Sequence, residues 1–215
     1  MINTLNQQTV TEEWFNSISH GITALTTIGG LLILVIFGAN SDKDWTLFSA
    51  LVYGLSLVSL YTFSTLYHGL RHEKAKRVFQ ILDHCGIFLL IAGTYTPVLL
   101  ISIGGTTGWV LFGIQWTMAF IGIVLKIFYT GKYDLMSTFI YALMGWMIVI
   151  RWRDLLESIP EAALHLLLAG GIAYTMGIVF YLIDSKIKYS HFIWHLFVMA
   201  GSTLHYIMII KYVII

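Results

Sequence analysis

The chain has few charged residues for its length. Only 11% of its 215 residues are Asp, Glu, Lys or Arg, whereas soluble domains usually carry roughly 25%. Hydrophobic residues make up 58% of the sequence and the mean hydropathy is +0.81. A soluble globule of this size cannot bury so much apolar surface. We therefore expect an integral membrane protein, and we exclude a soluble enzyme and a disordered tail.

The sequence also lacks an excess of one charge and has almost no cysteine. The net charge is +1, so no basic surface is expected to neutralise phosphates, which argues against a nucleic-acid partner. Cys85 is the single cysteine, which excludes an internal disulfide framework and a cysteine-rich zinc site. The first 20 residues are polar and acidic, so we expect no cleavable signal peptide.

Long apolar runs predict seven membrane spans. A helix that crosses a bilayer needs about 20 mostly apolar residues, and short polar or glycine-rich breaks divide the apolar runs of this chain. The candidate spans lie near residues 14–38, 45–70, 79–102, 108–129, 134–151, 162–183 and 191–213. We expect an all-α, single-domain bundle over residues 1–215 in the cell membrane, with a short cytoplasmic segment over residues 1–12.

The basic residues predict which side each end of the chain occupies. Seven spans place the two termini on opposite sides of the membrane. Eight Lys and Arg residues lie on the side of the N-terminus and four on the other side. Cytoplasmic loops carry the excess of Lys and Arg. The N-terminus is therefore predicted to be cytoplasmic and the C-terminus to be outside.

Ionisable residues within the spans are the most informative part of the sequence, because they are costly in a membrane and tend to mark function. Ser64 and His68 are four residues apart at the end of span two, and His191 and His195 are four apart at the start of span seven. Residues at this spacing share a helix face. Asp83 opens span three. The alternation of spans brings all five residues to the same end of the bundle.

This set of residues suits a catalytic zinc site. Such sites use three protein ligands and leave one position open. His191 and His195 supply a pair from one helix, and His68 supplies a third ligand from another. Zinc lowers the pKa of a bound water to about 7. Asp83 is then a candidate to orient or deprotonate that water, and Ser64 is a candidate to bond the water or a developing oxyanion.

Ligating histidines also need partners for their second ring nitrogen. Glu13, Asn16 and His20 form one stripe on the first turns of span one and are candidates for this supporting role. A second interpretation remains open for Glu13, since carboxylates are favoured in the first turn of any helix. Thr9 and Glu12 have the spacing of a capping box.

Structural interpretations remain open for the other members of the set. His191 and His195 are also consistent with an interfacial pair that binds no metal, and Ser64 with a small residue at a helix–helix contact. His205 lies about 15 Å beyond His195 along the same helix, so we expect a buried hydrogen-bonding role. Gly93 and Pro97 are expected to loosen span three, a feature that membranes tolerate.

At these residues the chain resembles a known family. The similarity extends over nearly the whole sequence, from Glu12 to about Tyr206, and four motifs carry it. They are EWFNSISH at 13–20, STLYH at 64–68, LDHCG at 82–86 and HFIWH at 191–195. With this order and these separations, the chain resembles the bacterial hemolysin III proteins, within the progestin and adipoQ receptor family.

The resemblance implies a seven-helix membrane fold with a cytoplasmic N-terminus. It implies a zinc ion near the cytoplasmic face, held by His68, His191 and His195. Asp83 corresponds to an acidic residue that holds metal-bound water, and Ser64 to the serine of the family. The similar alkaline ceramidases hydrolyse a lipid amide with a comparable set of residues, and the adiponectin receptors are linked to ceramide hydrolysis. The hemolysin name implies cytolysis instead.

Three hypotheses of function follow from the sequence. The first is a zinc-dependent intramembrane hydrolase that acts on a lipid amide or ester. The second is a cytolytic or pore-forming membrane protein with a structural zinc. The third is a receptor-like protein in which zinc joins spans two and seven. Each makes membrane lipid the expected partner, and the sequence leaves the oligomeric state open.

Overall fold

The computed structural model describes residues 8–215, and every regular element in that range is helical. Eight α-helices follow one another along the chain. They are α1 (Val10–Ala39), α2 (Thr46–Gly69), α3 (Glu73–Pro97), α4 (Gly105–Tyr129), α5 (Asp134–Gly145), α6 (Trp152–Ser158), α7 (Glu161–Leu182) and α8 (Ser190–Ile209). The third and last of the long helices each continue into a π-helical turn, over Val98–Ile103 and Ile210–Ile214.

Seven helical segments are long and apolar enough to cross a membrane, which confirms the predicted all-α fold. The fifth span differs from the prediction. Instead of ending at Arg151, it continues through a 3₁₀ turn at Met147–Arg151 into α6 and ends at Ser158. Arg151 forms an ion pair with Asp154 within this segment. Because the two charges satisfy each other along the helix, the polar stretch there does not require a loop.

The helix ends follow from local sequence. α1 begins with the expected capping box, in which the Thr9 side chain accepts from the Glu12 backbone N–H and the Glu12 side chain accepts from the Thr9 backbone N–H. This satisfies two amide donors that a helix start otherwise leaves unpaired. Gly104, with φ +62°, makes the turn between α3 and α4, where a side chain would be strained. Most of the predicted segment 1–12 lies outside the described residues, and α1 already begins at Val10.

Helix α3 contains Gly93 and Pro97, the two residues that were expected to loosen span three. The helix continues through Pro97, and the widening follows in the π-helical turn at Val98–Ile103. Gly93 has a different role from the one expected. A Cβ at this position would overlap the Ser56 side chain of α2, so the glycine allows the two helices to approach closely, as small residues do in membranes.

The helices form a closed bundle in which the first and last are neighbours. α1 packs against α2 and α8, α2 against α3, and α7 against α8. The large side chains that are fully buried at the centre include Tyr53, Tyr61, Phe88 and Leu99. The outward faces carry exposed apolar residues such as Leu25, which suits contact with lipid chains rather than water. The chain is thus a multi-pass integral membrane protein.

Candidate metal centre

Three histidines converge at the end of the bundle that is predicted to be cytoplasmic. His68 lies in the last turn of α2, and His191 and His195 lie in the first two turns of α8. One ligand atom from each of the three residues lies within 4.8 Å of the other two. The ring centroids are 4.9 to 5.1 Å apart. The structure therefore brings together the three residues that the sequence predicts as metal ligands.

Two of these histidines are held by a carboxylate at their other ring nitrogen. Nδ1 of His68 lies 2.7 Å from Oε2 of Glu13, and Nδ1 of His191 lies 3.0 Å from Oδ2 of Asp184. Both histidines are thereby left with Nε2 as the ligand atom. Nε2 of His68 is buried and has no hydrogen-bond partner among residues 8–215. Carboxylate-held histidines with a free second nitrogen are typical of metal sites, so these residues fit a bound metal ion.

Glu13 has a second partner that the sequence did not predict. Its Oε1 accepts a hydrogen bond of 2.8 Å from the Lys76 ammonium of α3, which also donates to the carbonyl of Tyr67 at 2.9 Å. Lys76 is one of several basic residues from which we predicted only the orientation of the chain in the membrane. Nothing in the sequence distinguished it from the basic residues near it. The ion pair holds the Glu13 carboxylate in place, and this carboxylate in turn orients His68.

The other two members of the predicted stripe on α1 are buried beside the site. His20 stacks on His195, with ring centroids 3.5 Å apart, and its edge meets the Tyr61 ring at 4.9 Å. Asn16 is fully buried, and its amide nitrogen donates to Oε1 of Gln8 at 2.7 Å. His20 thus fixes the plane of the His195 ring, whereas the amide of Asn16 bonds a residue of the N-terminal segment.

Asp83 and Ser64 line a cavity of about 120 Å³ that begins at the histidines. Ser64 is buried, and its hydroxyl lies beside the Asp83 carboxylate. Most of the remaining cavity wall is apolar and comes from α3, α5, α7 and α8. The residues predicted to act on a substrate therefore line the same largely apolar cavity as His191 and His195.

Two further histidines, His84 and His205, line the same cavity. His205 is buried, and one ring nitrogen lies 3.0 Å from the carbonyl of Leu167, which confirms its predicted hydrogen-bonding role away from the metal centre. His84 also lines the cavity, next to Asp83. Neighbouring residues on a helix point about 100° apart. The cavity wall extends far enough around α3 to include both side chains.

The fold and the histidine cluster define a multi-pass membrane protein with a candidate metal centre inside its helical bundle. The family model for "Haemolysin-III related" proteins matches residues 8–206. The chain therefore belongs to the haemolysin-III-related family. It is 44% identical to "Hemolysin-3" of Bacillus cereus over 96% of this chain and 94% of that protein. It is also 44% identical to the "Hemolysin-3 homolog" of Bacillus subtilis, over 95% of each chain.

A human relative extends the comparison beyond bacteria. The "Monocyte to macrophage differentiation factor" of Homo sapiens is 29% identical over 92% of this chain and 82% of that protein. This relative belongs to the progestin and adipoQ receptor family. No solved structure matches the chain. The comparisons thus confirm the resemblance that the four motifs indicated.

Proposed function

We propose that this protein is a zinc-dependent intramembrane hydrolase that cleaves a lipid amide or ester. One observation carries the proposal: three histidines, two of them held by carboxylates, meet at the end of an apolar cavity that Asp83 and Ser64 also line. A purely structural metal site is usually closed by four protein ligands, whereas this cluster holds three His, Cys, Asp or Glu residues within residues 8–215.

The ligand types favour zinc. Neutral imidazole nitrogens suit zinc among the common divalent ions, and among residues 8–215 the cluster consists of histidines alone. A bound zinc ion would polarise a carbonyl group and make water a better nucleophile. The histidines would hold it through their free ring nitrogens, and the carboxylates of Glu13 and Asp184 would keep the His68 and His191 rings in the required orientation.

Asp83 and Ser64 take complementary roles in this proposal. The Asp83 carboxylate accepts a proton from the attacking water and then delivers it to the leaving amine or alcohol. The Ser64 hydroxyl donates a hydrogen bond to the carbonyl oxygen as negative charge develops there. Both groups lie in a buried environment, where such interactions are stronger than in water. The apolar cavity wall receives the hydrocarbon part of the lipid and excludes bulk water.

The first experiment measures metal. The full chain is purified in detergent without chelators, and its metal content is determined by mass spectrometry. We expect about one zinc per chain, and loss of that zinc in a folded His191→Ala/His195→Ala variant. His165 is exposed near the opposite end of the bundle, so a His165→Ala variant is the matched control and keeps its zinc. A chain that holds no metal and takes up none when zinc is added refutes the proposal.

The second experiment measures turnover. Fluorescent N-acyl amino alcohols and the matching esters are presented in mixed micelles to the wild type, Asp83→Asn and Ser64→Ala. We expect Asp83→Asn to retain zinc and to lose about 10²- to 10⁴-fold in rate, the usual contribution of a general base. Ser64→Ala is expected to lose about 10²-fold, as for one oxyanion donor. Hydrolysis that is unchanged in Asp83→Asn contradicts the assigned role.

The names of the bacterial relatives favour a second candidate function, membrane lysis. Two relatives that are 44% identical over most of their length carry the name Hemolysin-3. Lysis predicts release of a fluorescent dye from liposomes in proportion to the protein added. The zinc-free His191→Ala/His195→Ala variant separates the two activities. A hydrolase loses its product formation in this variant, whereas a lytic protein with a structural zinc loses dye release only if the bundle itself unfolds.

A further inference from the structure

The start of α1 makes a contact with α8 that neither the sequence motifs nor the proposed reaction explains. Oε1 of Glu12 accepts a hydrogen bond of 2.8 Å from the backbone N–H of Tyr189, 177 residues away in the chain. Its other oxygen, Oε2, accepts from the backbone N–H and the hydroxyl of Thr9. Both carboxylate oxygens of Glu12 are thus engaged, and the residue is buried. A capping box needs only the hydrogen bonds between Glu12 and Thr9, so it does not account for the bond from Tyr189.

The hydrogen bond from Tyr189 forms at a strained point of the backbone. Its φ of +60° places a non-glycine residue in the left-handed region, which L-residues adopt at a cost. Tyr189 is the residue immediately before α8, and no side chain of that helix caps its start. The Glu12 carboxylate bonds the N–H at this position, and a negative charge there also suits the helix dipole. The strained turn is therefore held from outside by α1.

The position of Tyr189 links this contact to the metal centre. His191 is two residues further along the chain and His195 is one turn beyond it. The ring of Phe15 strengthens the same contact, with centroid distances of 5.8 Å to Tyr189 and 5.4 Å to Phe192. The first turns of α1 therefore contribute to the position of the start of α8 and of the two ligands on it.

The carboxylate of Glu13, the residue after Glu12, supports the third ligand, His68. Glu13 bonds Nδ1 of His68 on α2, so two consecutive residues of one helical turn hold both halves of the histidine cluster. We propose that Glu12 is a positioning residue of the metal centre, acting through the Tyr189 N–H to fix His191 and His195 relative to His68. The inference rests on the metal site of the proposed function but not on hydrolysis.

Zinc affinity provides the test, with zinc alone as the probe. Affinity is measured on the detergent-purified full chain by competition with a fluorescent chelator, beside thermal unfolding of the metal-free protein. We expect Glu12→Ala to weaken zinc binding about 10- to 100-fold, as loss of outer support usually does. Glu12→Asp keeps the acid in the first turn of α1 but is one methylene too short for Tyr189, so the same loss is expected. Glu12→Gln keeps an oxygen that can accept the Tyr189 N–H and restores most of the affinity.

Thr9→Ala is the matched control. It removes the hydroxyl that bonds Glu12 and leaves the contact between Glu12 and Tyr189 in place. We expect it to lower the unfolding temperature of the metal-free protein while zinc affinity stays within about threefold of the wild type, below the loss expected for ligand support.

Equal losses of affinity in Thr9→Ala and Glu12→Asp would show a general effect on α1 and overturn the inference. Unchanged affinity in Glu12→Asp, or no zinc binding by the wild type, also overturns it. Zinc binding without lipid hydrolysis would remove the proposed reaction and leave the role of Glu12 standing.

Discussion

Lys126 of α4 and Asp134 of α5 form an ion pair whose two partners differ in burial. Nζ of Lys126 lies 2.7 Å from Oδ1 of Asp134. The side chain of Lys126 is 4% exposed, whereas that of Asp134 is 38% exposed. The lysine therefore depends on its partner to compensate for lost hydration, and the aspartate does not.

Removing the aspartate should consequently cost more than removing the lysine. Asp134→Ala leaves a buried ammonium group without a counterion, and we expect the free energy of unfolding to fall by about 3 kcal/mol. Lys126→Met replaces the buried stem with a side chain of similar length. Asp134 is then a partly hydrated carboxylate in the first turn of α5, where the helix dipole favours it, so the expected loss is about 1 kcal/mol.

The assay is unfolding of the full chain by sodium dodecyl sulfate in mixed micelles, followed by circular dichroism. We expect the double variant Lys126→Met/Asp134→Ala to be more stable than Asp134→Ala alone, because the unpaired charge is gone. The difference between the two single variants should be about 2 kcal/mol. A Lys126→Met variant that is as unstable as Asp134→Ala, or less stable, would refute the reasoning from exposure.

Two further predictions concern packing and a buried hydrogen bond. Gly122→Ala should destabilise the bundle by about 1–3 kcal/mol, because the added Cβ would overlap the Phe88 ring. Gly113→Ala, on the exposed face of the same helix with open space around it, is its control, and equal effects of the two changes would contradict the assignment. Tyr61→Phe removes a 2.7 Å hydrogen bond to Ser202 and should cost about 1 kcal/mol. Retained stability of this variant in the same unfolding assay would argue against that bond.

The sequence predicted those parts of the molecule that depend on periodicity. The length of apolar runs predicts seven spans, and a spacing of four predicts that His191 and His195 share a face. The alternation of spans then brings His68 to the same end. These arguments need only helix geometry and the thickness of a bilayer. They do not depend on how one helix is rotated against another.

Contacts between helices were not predictable in the same way. Asp184 lies in the polar break after span six, yet its carboxylate bonds Nδ1 of His191. Lys76 and Glu12 likewise have partners on other helices, which only helix rotation and side-chain direction determine. The length of span five was underestimated for a related reason, since Arg151 looked like a span end until its pairing with Asp154 was known.

The adjacency of α1 and α8 in the bundle has a consequence for membrane insertion. Translation delivers the first helix early and the last helix late, so the ring of helices stays open until synthesis is nearly complete. The two ligand-bearing segments, at His68 and His191, are separated by a chain loop of about 120 residues, and bringing such distant segments together carries an entropic cost. The candidate metal site is thus complete only late in biogenesis, once the final helix has packed against the first.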